Sequence, residues 1–391
     1  MKDNPIVKVF KKYCALLVFG MATLMPVAAL AHEESAVVDE QDEEFKHGEH
    51  DFITKEGFDI TEFIFHHIGD SHEFTFWGGD TEGKTKWVGM HLPVILYANN
   101  GLSFFSSKEF ELNNDASVIV EKNGEQFVRY HGKIYYASDS ATDNNYVQLD
   151  DEGQVLNARP IDFSITKNVF SLLFAVALLL WLFLAVAKGY KKNAGKAPKG
   201  IQSFMEPIIL FVRDEIARPN IPGDKYERYM PFLLTVFFFI WLNNMLGLIP
   251  FFPGSANVTG NIAVTAILAL ITLLITLFSG NKNYWGHILN PPVPWWMKPL
   301  MIPVEIIGIF TKPFALAIRL FANITAGHIL VLSLLCLPFI FNSMPVAGGS
   351  VVFTIFIGLI EFLVAFIQAF IFTILSALYI GMAVEEPAEE H

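Results

Sequence analysis

The sequence predicts an all-α membrane protein of about five transmembrane helices, two of them long, tilted and antiparallel, preceded by a small β-rich extracytoplasmic domain. Three observations carry that expectation. The 391 residues are 53% hydrophobic with a mean hydropathy of +0.42, more apolar than a soluble chain of this size. Stretches long enough to cross a bilayer recur from residue 168 onward. Residues 32–164, in contrast, are polar and carry short alternating patterns broken by turn residues.

The first 31 residues read as a signal peptide. Lys8, Lys11 and Lys12 give a positive start, residues 13–25 an apolar run, and Ala29-Leu30-Ala31 small residues for cleavage. The alternative is a retained first transmembrane helix, for which the run is short. Cleavage would place the segment from residue 32 outside the membrane. The net charge of −12 is uneven, with acidic residues crowded into 33–51, and this argues against a nucleic-acid partner. Of the two cysteines, Cys14 and Cys336, only Cys336 would survive processing, so no intrachain disulfide is expected.

In the segment 32–164 the first 20 residues have a disordered composition. Strand-like alternation comes next at Phe74-Thr75-Phe76-Trp77, 94–97, 117–121, 126–130 and 133–136, with turn signals at Lys122-Asn123-Gly124-Glu125 and His131-Gly132. Two patterns there imitate chemistry. Gly78-Gly79-Asp80-Thr81-Glu82-Gly83-Lys84-Thr85 fits the phosphate-loop pattern, yet that loop must open a helix, and Asp80 and Glu82 would repel phosphate. No nucleotide site is expected. His66-His67-Ile68-Gly69-Asp70-Ser71-His72 could ligate a metal. A solvated or hydrogen-bonded cluster is the simpler reading, and neither metal nor cofactor is expected.

Residues 165–391 form the expected membrane domain. A first span covers 168–187, followed by Lys188, Lys191, Lys192, Lys196 and Lys199, a basic cluster of the kind found on the cytoplasmic side. Residues 201–217 mix apolar and charged positions, as a helix lying along the membrane surface would. Further spans cover 229–249 and 262–277. Two longer segments, 299–341 and 350–384, exceed the ~20 residues a perpendicular helix needs. Pro303, Pro313 and Pro338 mark places where the first would kink or end. This order puts the C-terminus in the cytoplasm.

The organising stretch is 311–337, which carries Arg319 near its middle with Asn323 and His328 after it. A guanidinium at membrane depth costs from about 2.5 to over 10 kcal/mol, and it needs a negative partner. No carboxylate of this chain obviously supplies one, so another subunit is expected to do so. Asn323, four residues on, shares the face of Arg319, whereas His328 points the opposite way, about 13 Å along the axis. Glu361 and Gln368 lie two turns apart on one face of the last helix. An antiparallel register that sets Gln368 beside Arg319 also sets Glu361 level with His328. Two titratable groups followed by a fixed cation at mid-depth describe a proton path that ends at a barrier. Singly, His328 could be a satisfied core residue and Glu361 could hydrogen-bond a neighbouring helix as readily as either could be functional; their shared register favours function.

These residues carry a resemblance. Arg319-Leu320-Phe321-Ala322-Asn323 and Gln368-Ala369-Phe370-Ile371-Phe372 resemble subunit a of the F-type ATP synthase, as do Glu305, Lys312-Pro313 and the span ending 243–250. The likeness covers about 165–386 and the patch near His66. It implies a multi-pass subunit of the bacterial inner membrane that is not an enzyme on its own. Its partners would be a ring of c subunits, the stator subunit b and the rest of the synthase, and it would bind no nucleotide. It further implies that Arg319 meets the ring carboxylate and blocks leakage, with Gln368 and Asn323 orienting it. His328, Glu361 and Glu305 would line the proton path. Some bacterial relatives exchange the residue types at 328 and 361, which supports their proximity, and relatives often carry Asp where Asn261 stands. Residues 73–160 look like an insertion. The alternative function is a secondary ion or solute transporter with Arg319 as an anion site, but the inverted repeats expected there are not evident. A binding module on a membrane anchor is a third reading.

Overall fold

The computed structural model describes residues 53–54, 57–58, 64, 67–81, 84–111, 113–138, 146–150, 154–193, 195–249, 256–291, 293–341 and 343–386. The expected signal peptide, the acidic segment 33–51 and His66 lie outside them.

The N-terminal part is β-rich, as expected. Two short strands, β1 (Ile53–Thr54) and β2 (Gly57–Phe58), pair with each other. β3 (Glu73–Thr81) and β4 (Lys84–His91) form a long hairpin in which Asp80 faces Thr85 and Thr81 faces Lys84. The described residues of the phosphate-loop lookalike therefore lie on two paired strands, and a strand follows where the motif needs a helix. β5 (Pro93–Ala98), β6 (Gly101–Ser106) and β10 (Ile161–Asp162) make one three-stranded sheet. β7 (Val120–Lys122), β8 (Glu125–Tyr130) and β9 (Lys133–Tyr136) make another. Both turns of the second sheet use a pair of left-handed residues, Asn123 and Gly124 (φ 53° and 76°) and His131 and Gly132 (φ 45° and 73°). Such turns match the twist of the strands they join. Val94, Leu96 and Phe105 of the first sheet pack on Val120, Phe127 and Ile134 of the second. β4 and β6 were not anticipated, because Lys84, Lys86 and the Gly101–Ser106 composition mask the alternation.

One ion pair is buried in this part. Arg129 Nη1 lies 3.0 Å from Glu73 Oε1, and Arg129 Nε donates to the Asn113 carbonyl at 2.7 Å. It ties β8 to β3.

Among the described residues five helices are long and apolar enough to cross a membrane. α1 (Lys167–Lys192) opens with Thr166 as its cap. α2 (Ile201–Phe211) runs into a widened turn over 212–217, where Arg218 N–H reaches back five residues to the Arg213 carbonyl. α3 (Tyr226–Leu248) and α4 (Ile262–Ser279) come next. Asn261 accepts from Ala263 N–H at 3.0 Å and so caps α4. α5 (Lys282–Leu289) is short. α6 (Lys298–Phe341) and α7 (Met344–Val384) form the antiparallel pair of long helices. Phe237, Leu233, Ile240, Leu316, Leu320, Phe372 and Ile380 share the core between them.

Two expectations need correction. α6 does not end at any of its prolines. Each removes a single N–H from a 44-residue helix, and for Pro338 the loss is made good. The carbonyl that its missing N–H would have bonded is that of Leu334, four residues back, and the Ser350 hydroxyl of α7 donates to it. α7 begins at Met344 rather than residue 350, because Pro345 sits in its first turn, where a proline favours helix.

Removing Arg129 alone would leave Glu73 charged and buried, at about 3–5 kcal/mol. Arg129→Met is expected to collapse hydrogen-exchange protection across β3 and β8, and Glu73→Leu added to it should restore most of that protection. Asp162 gives rise to a pH effect. Burial alone would raise its pKa, but the His72 hydrogen bond and charge, with Ser164, hold it down to about 2. The pairing therefore stabilises the fold above about pH 4 and is lost as pH falls towards 2. Hydrogen-exchange protection of β5 and β10 should fall over that window, and in Asp162→Asn should already be weaker and flat.

Candidate functional site

The ionisable groups singled out in the helical part all stand on α6 and α7. Arg319 lies about 21 Å along the axis from Glu305 and about 13 Å from His328, at 1.5 Å per residue. Pro313, Leu316, Ala317 and Leu320 form the buried arc of α6, and Arg319 stands at its rim with its side chain exposed. Among the described residues it makes no hydrogen bond or ion pair. Among the described residues nothing neutralises this cation.

Gln368 is buried, and its Oε1 accepts from Asn323 Nδ2 at 2.8 Å. The two amides thus bond to each other across the two helices, one turn from Arg319. Gln368 Nε2 is buried with no hydrogen-bond partner among the described residues. Lower in the same region, Lys312 Nζ lies 5.9 Å from the Tyr379 ring centre, a second cross-link between α6 and α7.

Glu361 is half-buried and comes against Gly327, the residue before His328. A Cβ at 327 would overlap its Oε1, so the glycine makes room for the carboxylate. His328 turns towards α3, where its Nε2 would lie 3.6 Å from a Cβ on Gly247. The predicted pair therefore shares a level, while no hydrogen bond joins the two among the described residues. Glu361 Oε1 has no partner there. Next to it, Asn244 of α3 accepts from the Thr259 hydroxyl at 2.6 Å and reaches the Ala365 carbonyl at 3.5 Å. Asn243 donates to the Phe239 carbonyl at 2.8 Å, and its own Oδ1 has no partner among the described residues. Buried polar atoms without protein partners are places for ordered water.

At the β-domain end, Lys167 is buried and its Nζ donates to the His67 carbonyl at 3.1 Å. Asp70 Oδ1 accepts from Ser71 and Asn168 N–H, each at 3.0 Å, and so holds the start of α1. Part of the His67 ring is exposed, yet withdrawal from water, with the charges of Lys167 and His328, pushes its pKa down to about 4. His72 is buried with its Nε2 3.2 Å from Asp162. The described members of the histidine cluster thus have separate structural tasks. At the opposite end Glu305 is half-buried beside α5, where Tyr284 is pushed up by burial and then by the charge of Glu305.

Sequence reasoning missed Gly327, Asn244, Thr259, Lys167 and Ser350. A glycine flanking a membrane histidine, and paired asparagines closing a span, were the available signals. The role of Lys167 depends on the chain before it, which only the fold brings back.

A family model described as ATP synthase A chain matches residues 169–381, and another, described as a domain of unknown function, matches 63–163. The chain is similar to an ATP synthase subunit a of Chloroherpeton thalassium, 49% identical over 237 residues, 59% of this chain and 69% of the relative. It is similar to one of Chlorobium phaeobacteroides, 45% identical over 331 residues, 79% of this chain and 94% of the relative. One of Myxococcus xanthus is 46% identical over 230 residues, 57% of this chain and 74% of the relative. The alignment covering 79% of the chain is longer than the helical part alone can supply, so it extends into the β-rich part. With more than half of its length matched by the first family model, the chain belongs to the ATP synthase A chain family.

Proposed function

We propose that this chain forms two proton half-channels against a rotating ring of c subunits, with Arg319 as the barrier between them. One observation carries the reading. A permanent cation at mid-depth in a membrane helix, exposed and unpaired among the described residues, needs an anion from another molecule. A ring with one buried carboxylate per subunit would bring such anions past it in turn.

The residues then take definite parts. Beside Arg319 a ring carboxylate is driven to its ionised form and releases its proton towards the side where Glu305 and Tyr284 stand. From the other side, His328, Glu361 and the polar atoms around Asn244 reload it, so that it re-enters lipid neutral. Because a guanidinium cannot surrender its own proton, no direct leak joins the two sides. Asn323 and Gln368 hold α6 and α7 at fixed spacing next to Arg319, which is a positioning role. Each charge carried through 100 mV supplies about 2.3 kcal/mol, and rotation passes this to a soluble sector that makes ATP.

The direction rests on the sequence. The signal-like residues 1–31 and the lysine cluster after α1 support an extracytoplasmic β-domain and a cytoplasmic C-terminus. Subunit b is the expected stator partner. The transporter reading is not favoured, since its relatives are ATP synthase subunits.

Arg319→Leu is expected to abolish proton-driven ATP synthesis in inverted vesicles while the protein still inserts; wild-type synthesis would remove the assigned role. Exchanging His328 for Glu and Glu361 for His together should retain more synthesis than either single change, and equal losses in all three would break the functional link between them. Gly327→Ala, by displacing Glu361, should lower passive proton flux roughly 10-fold to 100-fold, with Glu361→Asp recovering part of it.

A further inference from the structure

We propose that the outward face of the β10–β5–β6 sheet rests on the lipid surface beside the first membrane helix. Side chains alternate across a strand. Val94, Leu96 and Phe105 point into the core, whereas Ile95, Tyr97, Leu102, Phe104, Ile161 and Phe163 line the other face. Five of these six large apolar residues are between 46% (Phe163) and 67% (Phe104) exposed. The strand register makes them one patch. Ile161 faces Tyr97, Tyr97 faces Leu102 and Ile95 faces Phe104, while Phe163 N–H bonds the Ile95 carbonyl at 2.8 Å. The charged residue within these three strands is Asp162, and it turns inward to His72. Soluble surfaces rarely leave such a patch bare.

Its place in the fold names the occupant. β10 runs into α1 without a linker: Ile165 N–H bonds the Pro93 carbonyl, Lys167 N–H bonds the Ser71 carbonyl, and Thr166 caps the helix. α1 already exposes Leu173 and Phe174 two turns later, as a lipid-facing helix does. Phe163 is at most about 13 Å of extended chain from the first helical residue, at the depth where aromatic belts and interfacial segments bury their apolar sides. A sheet tilted towards the membrane brings Tyr97, Leu102 and Phe104 to the same level. Elsewhere the domain exposes Glu121, Gln126 and His131, so it has one side for lipid and one for water. This inference does not depend on the role of Arg319.

The test uses the assembled synthase in phosphatidylcholine–phosphatidylglycerol vesicles, with Cys14 and Cys336 replaced by Ser. A nitroxide is attached at Phe104→Cys, at Leu102→Cys as a second position on the face, and at Gln126→Cys as the polar control. Labels at 104 and 102 should collide with oxygen several-fold more, relative to a polar nickel chelate, than the label at 126. Collision with nickel equal to that at 126 would overturn the proposal, because the face would be in water. Little collision with either reagent would also overturn it, because a protein would then cover the face.

Discussion

A guanidinium inside a low-dielectric layer has no way to become neutral. That constraint organises the helical part of this chain. Lysine or histidine could relieve the same predicament by losing a proton; arginine must be met by an opposite charge. Among the described residues of the bundle around Arg319, none supplies one. Its immediate neighbours are Leu316 and Leu320 on the buried side and the neutral Asn323–Gln368 pair one turn away. Neutral amides fix geometry without cancelling the charge, so the field of Arg319 stays directed outward. The continuity of α6 and α7 serves the same end, since two unbroken helices hold the cation at a constant depth relative to Glu305 and His328.

How much of this could be read from the sequence depended on the range of the interactions. Spans were legible because apolar length is a local property, and the ends of α1, α3, α4 and α6 fell within a few residues of expectation. The level of Glu361 and His328 was legible because antiparallel helices share one register. What a given side chain touches was not. The register set Gln368 beside Arg319, and in the structure its amide is held by Asn323, one turn on. Pro338 looked like a break because the hydroxyl that compensates for it, on Ser350, lies on the next helix.

In the β-rich part the turns were legible and half of the strands were not. Asn123-Gly124 and His131-Gly132 encode their own backbone conformation, whereas β4 and β6 exist chiefly because β3 and β5 offer edges to pair with. The phosphate-loop lookalike shows the reverse case. Its letters fit a motif, but the strand that returns immediately after it removes the helix on which the chemistry of that motif depends.

The bond from the Ser350 hydroxyl to the Leu334 carbonyl links positions 338 and 350, twelve residues apart, into one heritable unit. A lineage that keeps proline at 338 can drift at 350 only among small residues bearing a hydroxyl. One that loses the proline regains the backbone donor and frees position 350 for alanine or glycine. Drift at these two sites should therefore be paired, with the hydroxyl lost only after the ring.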